Sequence, residues 1–95
     1  MTSRRLAILS PEASAWYLAE IAYLAERNAL AAEKVARRIR AARKTLAEHP
    51  NIGPPGLIPG TRRMVVGSYV LTVRLKGGAP EIIDIRHGRQ ADGKE

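Results

Sequence analysis

Near its carboxyl end the chain carries four consecutive residues that could bind an anion or move a proton: Arg86, His87, Gly88 and Arg89. A guanidinium group holds a carboxylate or phosphate through strong, charge-assisted hydrogen bonds. Gly88 would let the backbone turn or approach a partner closely. A lone histidine is more often structural or merely exposed than catalytic; the other interpretation of His87 is contact with a partner, together with Arg86 and Arg89. The segment predicts a surface that binds an acidic target.

A second pair of cations, Arg62 and Arg63, lies in a run with strand character. Adjacent residues of a strand point to opposite sides, so one of the two can meet a partner while the other meets solvent or the helices. Two interpretations stay open. The pair either binds the target directly or protects an edge strand by its charge.

The charge balance also favours an acidic partner. Sixteen Lys and Arg residues stand against nine Asp and Glu, giving a formal net charge of +7, and twelve of the sixteen are Arg. Nucleic acid, an acidic protein segment and an anionic surface all fit that balance. The six basic residues between Lys34 and Lys44 fall mostly off the apolar face of a predicted helix. We interpret them as a solubilising face and do not expect direct binding to nucleic acid.

Several kinds of site are excluded by composition. The chain has no cysteine, which excludes disulfides and thiolate metal sites. It shows no metal-ligand cluster, phosphate-binding loop or Ser/His/Asp arrangement, so we expect no metal, no cofactor and no catalytic residue. The first apolar run is too short for a signal peptide, and no segment approaches the roughly 18 apolar residues of a membrane span. We expect a cytoplasmic protein with one domain over residues 1–95, of which 91–95 form a polar tail.

The elements that must position these residues begin with a short apolar strand at residues 6–9, expected to be buried on both faces. Ser10 can cap a helix from Pro11 to Arg27, and Pro11 suits its first position. Asn28 should end this helix, because it tolerates left-handed backbone geometry, and it can cap a second helix at about 30–48. The apolar stripe of the first helix is predicted at Leu18, Ile21, Ala22 and Ala25, widened by Tyr17 and Leu24. That of the second helix is predicted at Ala32, Val35, Ala36, Ile39, Ala42 and Leu46.

An irregular connection rich in Pro and Gly follows at residues 49–60. Three strands come next, at 61–66, 69–75 and 81–87, and the middle one alternates between apolar and polar residues with a period of two. The expected fold class is α+β: one N-terminal strand, a two-helix hairpin and a three-strand antiparallel meander, with the helices packed on one sheet face.

With this order the chain resembles the ParE branch of the RelE/ParE toxin superfamily over about residues 5–90. The resemblance rests on four features in matching order, the second of which combines two segments. They are Ser10-Pro11-Glu12-Ala13; Leu18-Ala19-Glu20-Ile21-Ala22-Tyr23-Leu24 with Ala31-Ala32-Glu33-Lys34-Val35; Arg62-Arg63-Met64-Val65-Val66-Gly67-Ser68-Tyr69-Val70-Leu71; and Ile82-Ile83-Asp84-Ile85-Arg86-His87-Gly88-Arg89.

The resemblance implies the toxin of a bacterial type II toxin–antitoxin pair. ParE-like members are described as inhibitors of DNA gyrase, and a ParD-like antitoxin neutralises them in a hetero-oligomer. The implied antitoxin contacts are Trp16, Tyr23, Tyr69 and Arg74. For Trp16 the alternative is a place at the edge of the core.

RelE-like members of the same superfamily instead cut messenger RNA on the ribosome, so the fold alone leaves the activity open. In those members a basic residue follows the tyrosine of the middle strand, and here that position is Val70. RelE-like members also carry a tyrosine shortly after the terminal strand, whereas residues 90–95 of this chain contain none. We therefore expect an inhibitor rather than a ribonuclease. A binding module without toxicity is the third interpretation.

Overall fold

The structure is a computed structural model, and it describes residues 6–88. The elements are β1 (Ile8–Leu9), α1 (Pro11–Arg27), α2 (Ala29–Glu48), β2 (Thr61–Val66), β3 (Tyr69–Lys76) and β4 (Ala79–His87). The predicted α+β order, with the helices packed on one face of the sheet, is confirmed. Arg89 and the predicted tail at residues 91–95 lie outside the described residues. Neither α1 nor α2 offers an apolar stretch long enough to cross a membrane, within the range the structure describes.

The capping residues behave as the sequence predicts. The Ser10 side chain accepts a hydrogen bond from the Ala13 amide at 3.1 Å, and Pro11 occupies the first turn of α1. Asn28 serves both helices, because its amide donates to the Leu24 carbonyl while its side chain accepts from the Ala31 amide at 3.0 Å. The expected left-handed geometry at Asn28 is wrong: its φ of −160° is extended backbone. One residue therefore turns the chain through the hairpin corner without strain.

The two helices differ in how well their apolar patterns predict burial. In α2 the predicted stripe is confirmed, since Ala32, Ile39, Ala42 and Leu46 are buried. In α1 the prediction is wrong for Leu18, Ala22 and Ala25, which are exposed, and the only buried residue of the helix is Ala13. The prediction holds for Tyr17, which is partly buried against the core, and Trp16, outside the predicted stripe, packs there as well.

The four strands form one sheet in the order β1-β4-β3-β2. The β2–β3 and β3–β4 pairs are antiparallel, as predicted, whereas β1 runs parallel to β4. The β3–β4 register shifts between Thr72 and Val73, which leaves Ile83 as an extra residue in β4. The largest fully buried side chains lie between the sheet and the helices: Ile39, Leu46, Leu71, Val73 and Ile82.

The first strand departs from its prediction. It has two residues, lies at the edge of the sheet and is not buried on both faces, because Ile8 is 53% exposed. The preceding residue anchors it: the Ala7 amide donates to the Arg43 carbonyl, and the Arg43 side chain donates to the Ala7 carbonyl at 2.7 Å. The two hydrogen bonds to Arg43 of α2 thus hold in place a strand that is too short to be held by strand pairing alone.

The irregular connection at residues 49–60 packs along β2, the other edge strand. The Arg63 amide donates to the Pro54 carbonyl and the Gly56 amide donates to the Thr61 carbonyl, both at 2.9 Å. Pro55 forms an isolated bridge with Arg62. The connection therefore satisfies backbone groups that an edge strand would otherwise leave open.

Candidate functional site

The sheet has a face that meets the helices and a face that does not, which we call the open face. Tyr69, Leu71 and Val73 of β3 are buried in the core. Because side chains alternate along a strand, Val70 and Thr72 point to the open face. Residues directly opposite each other share a face, so the register adds Arg63, Asp84 and Arg86 to that side. The open face is the first candidate site.

The open face carries a groove of about 350 Å³. One side of it is formed by Leu57 and Ile58 from the connection, and these side chains are 86% and 53% exposed. The sheet contributes Val70 and Ile83 as its apolar part. We call this feature the open-face groove. Apolar side chains beside water make it a surface suited to a protein partner.

The charged groups of the open-face groove are Arg63, Asp84 and Arg86. Arg86 donates two hydrogen bonds to the Asp84 carboxylate, at 2.7 and 3.1 Å, which is the bidentate geometry of a guanidinium–carboxylate pair. The hydrogen bond and charge of Asp84 raise the pKa of Arg86. Arg63 is half-buried and makes no side-chain hydrogen bond or ion pair within residues 6–88. Among the described residues, Arg63 is thus the cation of the groove without a side-chain partner.

A second cluster lies on the helix-facing side, where β4 ends, and consists of Trp16, Glu20, Tyr69 and His87. The Tyr69 hydroxyl donates to Glu20 Oε2 at 2.7 Å, and His87 Nε2 lies 3.3 Å from the same oxygen. The rings of Trp16, Tyr69 and His87 are neighbours, with centroids 5.1 to 6.0 Å apart. We call this group the Glu20 cluster. It ties α1 to the end of the sheet.

The Glu20 cluster alters the acidity of Tyr69. Burial raises the pKa of the Tyr69 hydroxyl, and the hydrogen bond and the charge of Glu20 raise it further. The hydroxyl is therefore held as a hydrogen-bond donor and is a poor source of a phenolate. This chemistry suits a structural connection, and it opposes a role for Tyr69 in proton transfer.

The structure separates the predicted target-binding residues. Arg63 and Arg86 share the open-face groove, whereas His87 belongs to the Glu20 cluster on the other side. Arg62 also lies on the helix-facing side, and its guanidinium donates to the Gly53 carbonyl at 3.0 Å. Arg62 and Arg63 thus point to opposite sides. The fifth residue of the predicted set, Arg89, lies outside the described residues.

The predicted antitoxin contacts are also dispersed. Trp16 and Tyr69 meet in the Glu20 cluster, and Tyr69 is 7% exposed, which leaves a partner little of it to touch. Tyr23 is 53% exposed and carries the Arg27 guanidinium 3.6 Å above its ring. Arg74, near the end of β3, forms an ion pair at 3.2 Å with Glu81, a buried carboxylate of β4.

Sequence reasoning assigned no role to Glu20, Asp84 or the connection residues Leu57 and Ile58. The alternation of β4 could have placed Asp84 beside Arg86, since both lie on one face of that strand. Nothing local marks Glu20, because its partner Tyr69 is 49 residues away. Among residues 6–88 no three or more His, Asp or Glu side chains gather as metal ligands.

Comparison with known proteins identifies the family and the fold of the chain. The family model described as ParE toxin of type II toxin-antitoxin system, parDE, matches residues 7–92. A chain from a solved structure, the chromosomal ParDE TA system from P. aeruginosa, shares 21% sequence identity with a TM-score of 0.71. The match covers 90% of this chain and 98% of that chain, and at this identity it concerns the fold. No curated protein matches significantly. On the family match, the chain belongs to the ParE toxin family of type II toxin–antitoxin systems.

Proposed function

We propose that the protein is a toxin that inhibits DNA gyrase by binding it, and that a ParD-like antitoxin holds it inactive in a hetero-oligomer. The observation that carries the proposal is the match to the ParE toxin family over residues 7–92. Gyrase acts on chromosomal DNA, so the toxin acts in the cytoplasm. Inhibition by binding requires no catalytic step in the toxin, and no cofactor takes part in it.

The distribution of side chains supports inhibition over RNA cleavage. General acid–base catalysis requires a proton donor and acceptor within hydrogen-bond reach of the same reacting group. Here Tyr69 and His87 lie on the helix-facing side, while Asp84 and Arg63 lie on the open face. The open-face position next to Tyr69 is Val70, which is 8% exposed and has no side-chain group that could bind a phosphate. These groups do not surround a single reacting atom.

The target contact is proposed for the open face, with Arg63 and Arg86 as the binding cations and Arg89 continuing the basic segment beyond the described residues. Both arginines lie at the open-face groove. Arg62 and His87 act in support, because Arg62 holds the connection and His87 belongs to the Glu20 cluster. Of the aromatic residues, Tyr23 remains a candidate for antitoxin contact through its exposed ring.

The test combines purified toxin with gyrase in a DNA supercoiling assay. Supercoiling should fall as toxin is added and return when the cognate antitoxin is included. Primer extension on messenger RNA from cells that express the toxin should show no new cuts. Discrete cuts in translated RNA would instead identify a ribosome-dependent ribonuclease. Normal growth with folded toxin and unaffected gyrase would identify a binding module without toxicity.

A further inference from the structure

We propose that the outer face of α2 binds the phosphate backbone of double-stranded DNA without reading its sequence. The face carries Lys34, Arg37, Arg40 and Lys44, and we call it the α2 basic face. The helices pack on the side of the sheet opposite the open-face groove, so this site is separate from the proposed target contact. The inference replaces the expectation, drawn from the sequence, that these residues only aid solubility.

The α2 basic face is a straight row of cations. Its four residues follow one another at steps of three, three and four along the chain, which places neighbours on one side of a helix with Cβ atoms about 5–6 Å apart. At a rise of about 1.5 Å per residue, the row is about 15 Å long. All four side chains are exposed, whereas Ile39 and Leu46 on the opposite side of α2 are buried in the core. The row is therefore held rigidly and is accessible.

These cations are largely without partners inside the protein. Within residues 6–88, Lys34, Arg40 and Lys44 make no side-chain hydrogen bond or ion pair. Arg37 lies 3.7 Å from Glu33, but the two side chains are 71% and 66% exposed, and such surface pairs contribute little free energy. The whole helix carries six basic residues against two acidic ones. An anionic ligand would therefore meet little competition at this face.

The class of ligand is assigned from what the α2 basic face does not offer. A protein interface buries an apolar core, and no large apolar side chain between residues 31 and 48 is exposed. A lipid surface requires the apolar side of a helix, and that side of α2 packs in the core. Single-stranded nucleic acid is held by stacking on aromatic rings, and α2 contains none. A double helix is held through its phosphates, and its protein interfaces are polar and strongly positive.

Duplex DNA presents about one negative charge per 1.7 Å of its axis, so it offers several phosphates to a row of this length. The net charge of +7 draws the protein towards such a polymer. DNA is chosen over duplex RNA because gyrase acts on DNA, and this choice alone rests on the proposed function. A toxin bound to the backbone without sequence preference can slide along the molecule on which its proposed target works.

The test adds purified toxin to a short labelled DNA duplex and measures fluorescence anisotropy. The face variant, Arg40→Gln with Lys44→Gln, removes two cations of the α2 basic face, and glutamine preserves helix propensity. The control variant, Arg27→Gln with Lys76→Gln, also removes one exposed arginine and one exposed lysine, from the ends of α1 and β3. The two variants have the same net charge and differ only in position. Circular dichroism establishes folding, and Lys34→Gln with Lys44→Gln replaces the face variant if that one does not fold.

The parent should bind with a micromolar dissociation constant at low salt. Four phosphate contacts predict a slope of about −3.6 for the logarithm of the binding constant against that of the salt concentration, so a rise from about 50 to about 200 mM should weaken binding about a hundredfold. The face variant should show a slope of about −1.8 and lose only about tenfold over the same range. The control variant should keep the parental slope to within about 0.5, because distant charges are screened.

Two results of this titration would overturn the proposal. The first is an equal loss of affinity and slope in both variants, since binding would then follow net charge and not the α2 basic face. The second is an absence of binding by the parent at low salt. Competition identifies the nucleic acid: if duplex RNA or single-stranded DNA displaces the label more than about tenfold better than duplex DNA, the assignment to duplex DNA is wrong.

A supercoiling assay separates this proposal from the proposed function. The face variant should still inhibit gyrase at saturating toxin, because the target contact is proposed for the open face. Loss of that inhibition would place α2 in the target contact and would overturn its assignment to a separate DNA site. If the parent leaves gyrase unaffected, the proposed target is wrong, while the anisotropy result still decides whether α2 binds DNA.

Discussion

Glu20 connects α1 to the end of the sheet through one carboxylate oxygen, which accepts a hydrogen bond from Tyr69 and lies near His87. Its side chain is 12% exposed, so water offers little substitute for these partners. An acidic residue on the core-facing side of a helix reduces the free energy of unfolding unless its carboxylate is hydrogen-bonded there. The arrangement explains how a polar residue is tolerated against the core.

Tyr69→Phe tests this connection. Removing the hydroxyl deprives Glu20 of a donor, and a hydrogen bond to a charged group contributes about 1.5–3 kcal/mol. The remaining contact with His87 should limit the loss, so we expect the free energy of unfolding at pH 7 to fall by about 1–2 kcal/mol. Urea denaturation measures it. Tyr23→Phe, at an exposed ring, is the control and should change stability far less.

Alkaline pH gives a second measurement on the same pair. The raised pKa of Tyr69 means that the folded protein keeps the proton above pH of about 10, where the unfolded chain loses it. The free energy of unfolding should therefore decrease as pH rises beyond that value, by at most about 1.4 kcal/mol per pH unit from this group. Tyr69→Phe should lack this contribution, while Tyr17, whose pKa burial also raises, should retain its own. Identical alkaline branches for the two proteins would contradict the assignment.

Arg86→Ala, alone or with Arg89→Ala, tests the proposed target contact. The Arg86–Asp84 pair is partly exposed, with 48% and 35% of the side chains accessible, and such pairs contribute less than about 1 kcal/mol to stability. The variants should therefore stay folded and lose inhibition of gyrase supercoiling. Arg37→Ala breaks a surface pair with Glu33 on α2 and should inhibit as the parent does. Full inhibition by the double variant would show that the inhibitory surface lies elsewhere on the protein.

At the scale of elements, the connection at residues 49–60 acts as a cover for β2 because it approaches the strand closely. Gly53 has a φ of +96°, and a Cβ there would overlap the backbone carbonyl of Arg63. Gly60 has a similar φ of +84° but faces open space. Substitutions at the two glycines can therefore be compared to separate the effect of backbone strain from that of steric overlap.

Gly53→Ala should therefore destabilise the protein more than Gly60→Ala does. Both variants incur the cost of a left-handed alanine, roughly 1 kcal/mol. Only Gly53→Ala must also displace the connection from β2, which exposes the edge and removes the Arg62 contact with the Gly53 carbonyl. Thermal melts of the two variants provide the comparison. Equal losses would mean that the connection is not held by this close approach.

The elements show where sequence periodicity suffices and where it does not. In α2, charged residues fill the outer face, so only one apolar stripe is available and the prediction holds. In α1, apolar residues occupy both sides: Trp16 and Tyr17 on one, Leu18 and Ala22 on the other. The side that meets the core also carries Glu20, and its hydrogen bond with Tyr69 joins distant segments, which no local pattern contains. The open-face groove was missed for a related reason, since Leu57 and Ile58 lie in an irregular connection without periodicity.

At the scale of the whole molecule, a small aliphatic core is combined with an open-face groove whose aliphatic side chains Leu57 and Ile58 are exposed. Only 4% of the residues are aromatic, and the largest fully buried side chains within residues 6–88 are Ile, Leu and Val. Such a core buries modest area, so binding should contribute a large share of the stability.

The cognate antitoxin should therefore raise the thermal midpoint of the toxin. A ligand that binds only the native state at a hundredfold excess over its dissociation constant stabilises it by about 2.7 kcal/mol. For a chain of this length that corresponds to about 10–20 °C. Differential scanning fluorimetry with increasing antitoxin measures the shift, and an unrelated acidic protein serves as the control. No shift at saturating antitoxin would exclude stabilisation by this partner.

The parallel pairing of β1 with β4 has a consequence for how the toxin is made. Ser10, just after β1, bonds to Ile83, 73 residues later in the chain. At a synthesis rate of about 5–20 residues per second, about 4–15 s pass between the synthesis of β1 and that of the β4 residues with which it pairs. The open-face groove also stays incomplete during that interval, because Arg63 belongs to β2 and Arg86 to β4. A chain released early by a premature stop codon or a proteolytic cut before β4 would therefore lack the part of the open-face groove that Ile83, Asp84 and Arg86 form.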